Sequence, residues 1–317
     1  MDEIMFSVNE NVVFNIDELS KRQSETAEQR ICEIHELAES AAEILLQMYN
    51  DDYSAAEAIS FLSDFIEDKK TNVHTEALEE NKELLNSYMS LVSCYDKATF
   101  SLLLSESLKK RGIFLSEGDF LDSGETEESI AFVRSPLSSE AFDVFSQSLA
   151  DPRLKYVPDT KEAVAMVSRG EVGYCILPIE ERGGVRLSSI SELIFREELK
   201  INSVTPVFGP YGGANMKYAL LSKKFTDYPV NPGDDRYLEI RLHDNSGVSF
   251  SELMTAASVL NVGLYRVNTI NFETEDGERK YVSIVFSRES LDFCNILLYM
   301  MLFTPDFTPV GIYKNLE

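Results

Sequence analysis

Leu238-Glu239-Ile240-Arg241-Leu242, then the turn His243-Asp244-Asn245-Ser246-Gly247, then Ser249 onward, decides how residues 236–317 fold. Apolar and charged residues alternate in the first five positions, the pattern of a strand with one buried face. Ser249 and Glu252 have the spacing of a capping box, and Phe250, Leu253, Met254, Ala257 and Leu260 fall on one helical stripe. Asn261-Val262-Gly263 stops that helix. Strands over Leu264–Phe272 and Lys280–Phe286 flank Glu275-Asp276-Gly277, which has hairpin-turn composition. A second helix carries Leu291, Cys294, Leu298 and Met301 on its buried side, and Pro309-Val310-Gly311-Ile312-Tyr313 closes as a strand. The order β-α-β-β-α-β predicts a ferredoxin-like split sheet with two helices on one face, suited to sensing or pairing rather than catalysis.

Upstream lies a linker over residues 227–235, with Pro229, Pro232 and Gly233. Before it, short apolar runs alternate with helical stretches. Ile130–Val133 reads as a buried strand, Ser139–Leu149 as a helix and Lys155–Val157 as a strand. Thr160–Ser168 then reads as a helix and Tyr174–Pro178 as another buried strand. Such alternation predicts an α/β unit over residues 130–226, its parallel sheet covered on both faces. Residues 116–129 are acidic and broken by Gly118 and Gly124, a linker or exposed loop. Residues 1–115 read as a helical bundle, with helices over Thr26–Tyr49, Ser54–Ile66 and Thr75–Lys110. The last of these ends on Lys109-Lys110-Arg111-Gly112. Val12-Val13-Phe14 reads as a short strand or a packing arm. The chain is thus a multi-domain α+β protein: 1–115 helical, 116–129 acidic linker, 130–226 α/β lobe, 227–235 linker, and 236–317 split β-α-β module.

The 317 residues carry a net charge of −25, a surface that repels phosphate backbones and anionic lipids, so neither nucleic acid nor membrane is expected as a partner. No segment approaches the ~18 apolar residues of a membrane span, and Met1-Asp2-Glu3-Ile4 is acidic where a secretory signal is basic. Cys32, Cys94, Cys175 and Cys294 are scattered, and the histidines are only His35, His74 and His243. Neither metal nor cofactor is expected, and reduced thiols point to the cytoplasm. Cys175 reads as a small core residue and His243 as a surface one. Gly209-Pro210-Tyr211-Gly212-Gly213 lacks the lysine of a phosphate loop.

Two places resemble one family. Gly173-Tyr174-Cys175-Ile176-Leu177-Pro178-Ile179-Glu180, followed by a helix carrying Leu187, Ile190, Leu193 and Ile194, resembles the strand, "PIEN" loop and helix of prephenate dehydratases. The C-terminal module resembles the ACT domain attached to those enzymes, down to its closing Val310-Gly311-Ile312-Tyr313. Ile130–Val133 looks like the strand that opens the dehydratase fold. The resemblance covers residues 130–317. It implies a lobe of periplasmic-binding-protein type, a homodimer formed through the ACT-like module, and an amino-acid or carboxylate ligand. Its positions are Asn245, Ser246, Gly247, Val248 and Asn268 in the module's turn and second strand, with Ser138, Glu180, Glu181 and Arg182 in a vestigial dehydratase loop.

The departures from the family bear on chemistry. Glu181, Arg182, Gly183, Gly184 and Val185 stand where the family places Asn, Thr, two Ser and Gly to hold carboxylates. Glu181 would repel a dianion such as prephenate. After the first strand, Arg134-Ser135-Pro136-Leu137-Ser138-Ser139 keeps only serine donors. If Met216-Lys217-Tyr218 replaces the family's Thr-Arg-Phe, a thioether stands where a hydroxyl acts. Asn268-Thr269-Ile270-Asn271 replaces the Glu-Ser-Arg-Pro of phenylalanine-binding relatives. The expectation is a regulatory protein related to aromatic amino-acid metabolism, without catalytic residues. The alternative is a divergent but active dehydratase, or a fusion with a chorismate mutase using Lys21, Arg22, Arg30, Lys69, Lys70 or Lys82.

Overall fold

The computed structural model describes residues 10–66, 91, 93–208, 214–226, 235–243, 249–274, 277–289, 292–304 and 307–316. Among these are the helices α1 (Glu10–Asn50), α2 (Ala55–Ile66), α3 (Cys94–Lys110), α4 (Pro136–Ser146), α5 (Thr160–Ser168), α6 (Ser188–Arg196), α7 (Phe250–Val259) and α8 (Cys294–Phe303). The strands are β1 (Ser129–Val133), β2 (Arg153–Val157), β3 (Tyr174–Glu181), β4 (Val185–Arg186) and β5 (Lys200–Phe208). They continue with β6 (Ala214–Ser222), β7 (Asp235–His243), β8 (Gly263–Thr274), β9 (Gly277–Glu289) and β10 (Phe307–Lys314). No helix among the described residues is long and apolar enough to cross a membrane.

Three boundaries differ from the sequence pattern. Val12-Val13-Phe14 lies inside α1, because lengthening a helix adds hydrogen bonds without a second nucleation cost. The helix expected from Thr75 starts at Cys94: Ser93 is extended and its hydroxyl accepts from Asp96 N at 3.0 Å. Residues 75–90 lie outside the described residues. Helix α4 starts at Pro136 instead of Ser139, with Ser135 as its cap and proline in the first turn, where the missing N–H costs nothing.

The helices α1, α2 and α3 bury Ile34, Leu45, Ala58, Leu62, Phe100 and Leu104 among themselves, and that core continues onto Leu298 and Leu302 of α8. The acidic stretch after α3 is tied down. Glu117 accepts from both Nη atoms of Arg236, at 2.7 and 2.5 Å, and from Phe293 N at 2.9 Å.

One ten-stranded sheet runs in the order β2-β1-β3-β6-β5-β10-β7-β9-β8, with β4 attached to β3. β2, β1 and β3 are parallel. Helix α4 packs Ala141 and Phe145 on the face carrying Ile130, Phe132, Tyr174 and Ile176. Helices α5 and α6 pack on the opposite face, against Ala131, Cys175 and Leu177. Between residues 235 and 316 the order β10-β7-β9-β8 is all antiparallel and forms the split β-α-β arrangement. Helices α7 and α8 both cover the face carrying Leu238, Ile240, Leu242, Ile284 and Phe286. The two parts of the sheet meet where β10 runs parallel to β5 at Gly311 and Ile201. A Cβ on Gly311 would lie 2.8 Å from Ile201 Cβ and 2.9 Å from its carbonyl oxygen, so only glycine lets the strands approach.

The polar face of β7 is the largest departure from the sequence pattern. Alternation predicts a solvent-facing side for Glu239 and Arg241, yet they are 3% and 5% exposed. Helix α6 and the β3–β4 hairpin fold over that side of the sheet: Phe195 of α6 sits 4.4 Å from the Arg241 guanidinium and 4.4 Å from the Tyr281 ring. The period of two sets which residues share a face, but not what covers it.

Candidate functional site

The parallel strands β1, β2 and β3 end at a cleft of about 370 Å³. It lies at the carboxyl ends of strands whose crossovers pass on opposite faces, the crevice where open α/β sheets bind ligands. Val133, Pro158, Ile176 and Pro178 give its apolar lining, and the starts of α4 and α5 supply Ser135, Ser138, Asp159 and Thr160. Tyr218 of β6 closes one side.

The polar groups at the mouth are largely committed. Ser135 and Ser138 form a reciprocal capping box, with Ser138 N donating to Ser135 Oγ at 3.1 Å and Ser135 N to Ser138 Oγ at 2.9 Å. Ser138 Oγ also donates to Val133 O at 2.6 Å. Asp159 caps α5, its Oδ1 accepting from Glu162 N at 2.9 Å. Burial, partly offset by a hydrogen bond with Ser135, pushes the Tyr218 phenol up, so it stays neutral. Among the described residues of the lining Asp159 is the single charged one, and none is a lysine or arginine.

The bases that could have served it lie on the other side of β3. Pro178 pairs with Tyr218 but Glu180 pairs with Lys217, so Ile179 is an extra residue in the ladder. This bulge breaks the alternation, and Ile179 and Glu180 line the same small cavity, away from the cleft that Pro178 lines. There Glu180 accepts from Arg266, with Arg186 Nη1 at 3.7 Å and Lys217 Nζ at 3.9 Å. Arg186 donates to Glu239, which also accepts from Ser283 at 2.9 Å and Tyr313 at 3.2 Å. Burial would raise the Glu239 carboxyl, but Arg186, Ser283 and Arg241 outweigh it and the net shift is downward. Burial lowers Lys217 against the pull of Glu180, and brings Arg241 down to about 10.

The sequence-derived positions therefore separate. Ser138 lines the cleft, whereas Glu180 belongs to the charge layer. Glu181 and Arg182 are exposed on the tight β3–β4 hairpin, where Gly183 and Gly184 take φ of 90° and 78° and Gly184 N donates to Glu181 O at 3.0 Å. Lys217 faces Glu180, not the cleft. Asn268 shares its sheet face with Arg266, and its Nδ2 is buried without a hydrogen-bond partner. Asn245, Ser246, Gly247 and Val248 lie outside the described residues, as do Gly209–Gly213, Lys69, Lys70 and Lys82. In the helical part, Arg30 donates to Asp96 at 3.0 Å and Glu33 at 3.1 Å. Cys175 is fully buried, and burial raises its thiol far above the reactive range. No group of three or more potential metal ligands occurs among the described residues. Sequence reasoning missed Asp159, Thr160 and Tyr218. The only available signal was Asp159 and Glu162 before an apolar helix, and that marks a cap as readily as a site.

No family model matches the sequence, and no curated protein matches it. Among solved structures the chain is similar to the prephenate dehydratase from Streptococcus mutans, with 14% identity, a TM-score of 0.47, and 60% of this chain and 99% of that one covered. It is also similar to GqqA, described as a novel type of quorum quenching acylase, with 17% identity, a TM-score of 0.43, and 59% and 95% covered. A third is the prephenate dehydratase from Arthrobacter aurescens in complex with L-Phe, with 13% identity, a TM-score of 0.42, and 58% and 89% covered.

Proposed function

We propose that this protein is a dehydratase-like binding protein that senses a small zwitterionic amino acid and carries out no chemistry on it. The single observation behind this reading is the lining of the cleft, which among the described residues has one carboxylate, several hydroxyls and no lysine or arginine. A dianion such as prephenate needs cationic partners, and Arg186, Lys217 and Arg266 are turned toward Glu180 and Glu239 instead. An ammonium group suits Asp159, and a carboxylate suits the N-terminal turn of α4. The departures from the dehydratase motifs at Glu181, Arg182 and Met216 point the same way. A regulatory role in aromatic amino-acid metabolism in the cytoplasm belongs to the same proposal. So does pairing of two chains along β8, whose outer edge ends the sheet.

The test is a thermal-shift panel of the twenty amino acids with chorismate, prephenate and phenylpyruvate, run beside a prephenate turnover assay and light scattering. One amino acid or a small group should raise Tm, and Asp159→Asn, which keeps the cap but loses the charge, should weaken that ligand about tenfold (about 1.4 kcal/mol). Conversion of prephenate to phenylpyruvate by pure protein would overturn the reading. So would tighter binding of the dianions than of any amino acid.

A further inference from the structure

We propose that the open end of the helical bundle is an interface for a second copy of this chain. Helices α1 and α3 run parallel: Arg30 donates to Asp96 at 3.0 Å and Arg111 to Glu43 at 3.5 Å, offsets of 66 and 68 residues. Helix α3 therefore stops level with Ala42, and α1 continues for about 12 Å beyond it. That step leaves an apolar hollow between Leu45, Tyr49, Ala55, Leu108, Ile113 and Leu115. The stretch after α3 puts Ile113 and Leu115 into the hollow and leaves Phe114 between them outward, 74% exposed. Tyr49 on the rim and Tyr53, whose N–H donates to Met48 O at 3.1 Å, are 51% and 37% exposed. Exposed aromatic side chains gathered around one hollow mark an interaction surface, where single scattered ones do not.

The charges beside the hollow select the occupant. Exposed Asp51 and Asp52 follow the C-terminus of α1, where the helix dipole disfavours anions, and exposed Lys109 and Lys110 end α3. None of the four has an ion pair among the described residues. The acids belong to the α1–α2 side of the hollow and the lysines to the α3 side. A two-fold axis across the hollow sets the acids of each copy against the lysines of the other while the aromatic patches meet. A partner of a single sign would match only one side. A whole aromatic side chain offers about 150–250 Å², so the exposed parts of these three amount to about 300 Å² of the roughly 800 Å² that a standard interface takes from each partner. Repulsion from the net charge of −25 is largely screened beyond about 8 Å at physiological ionic strength, so the facing pairs decide.

This inference rests neither on the cleft nor on pairing along β8. Its test is the mass of the full chain in solution, by light scattering and sedimentation at physiological salt across the micromolar range. Phe114→Ser, at an exposed position, should weaken association about tenfold or more, and so at least halve the mass, whether or not β8 pairs as well. Two charge-reversed chains give the sharper reading. Asp51→Lys with Asp52→Lys makes both sides of the hollow basic, and Lys109→Glu with Lys110→Glu makes both acidic. Each alone should lose the contact, and an equimolar mixture should regain it as mixed pairs only. A wild-type mass equal to one chain, or one that Phe114→Ser leaves unchanged, would overturn the proposal. So would a mixture that associates no more than its components.

Discussion

Replacing Arg186 with methionine removes the cation that holds the hairpin to the C-terminal sheet. Its guanidinium donates to Glu239, which is 3% exposed, and faces Glu180, which is 6% exposed. Methionine fills much of the space but leaves Glu239 with the neutral donors Ser283 and Tyr313 and the more distant field of Arg241. Breaking a buried pair from one side costs about 3–5 kcal/mol, because the remaining charge stays desolvated. Removing both sides with Arg186→Met and Glu239→Leu should restore much of that loss, leaving a coupling energy of about 2 kcal/mol or more. The assay is urea unfolding of the four proteins of the cycle, followed by circular dichroism at neutral pH. The deficit of Arg186→Met should also shrink in acid, where a proton neutralises the stranded carboxylate. Losses below about 1 kcal/mol for the single variant, with strict additivity in the double one, would refute the idea that this pair fastens the lobe to the module.

The pH dependence follows from the same residue. Glu239 is held below its ordinary value, so its stabilising contribution is complete above the unfolded carboxylate range and is lost as pH falls through the depressed value. Stability should therefore decline on the acid side of the ordinary carboxylate range, and Glu239→Gln should flatten that acid limb. Gly311→Ala puts a methyl group against Ile201 at the junction of β5 and β10 and should cost about 1–3 kcal/mol. Limited proteolysis between residues 226 and 235 should then be faster; an unchanged rate and midpoint would show that the two parts of the sheet do not depend on that contact.

Much of the fold was legible because local signals agreed with the final packing. The alternation in β7, the Ser249–Glu252 capping box, the apolar stripe of α7 and the β8–β9 hairpin all act between near neighbours. They place the split β-α-β module without knowledge of anything distant. The central strands β1 and β3 were equally legible, since strands buried on both faces are continuously apolar. Strand β2 ends the sheet with four of its five residues exposed, so the expected covering of both faces does not reach it. The cleft was not legible. Ser138 was found among the serines after β1, but Asp159, Thr160 and Tyr218 come from a separate helix turn and a separate strand, and only the crossovers bring them to one place.

Glu180 and Glu239 show where the sequence stops. Alternation alone assigns Glu239 and Arg241 to one face, and a strand beginning at Tyr174 puts Glu180 in phase with Pro178. The sequence does not say that the hairpin and α6 would cover that face of β7, nor that a bulge at Ile179 would turn Glu180 away from the cleft and toward Arg266. Face membership is a property of the backbone period and travels with the chain. Burial of a charge is set by what packs against it, and here a partner strand more than fifty residues away in sequence makes that burial tolerable by supplying the opposite charge.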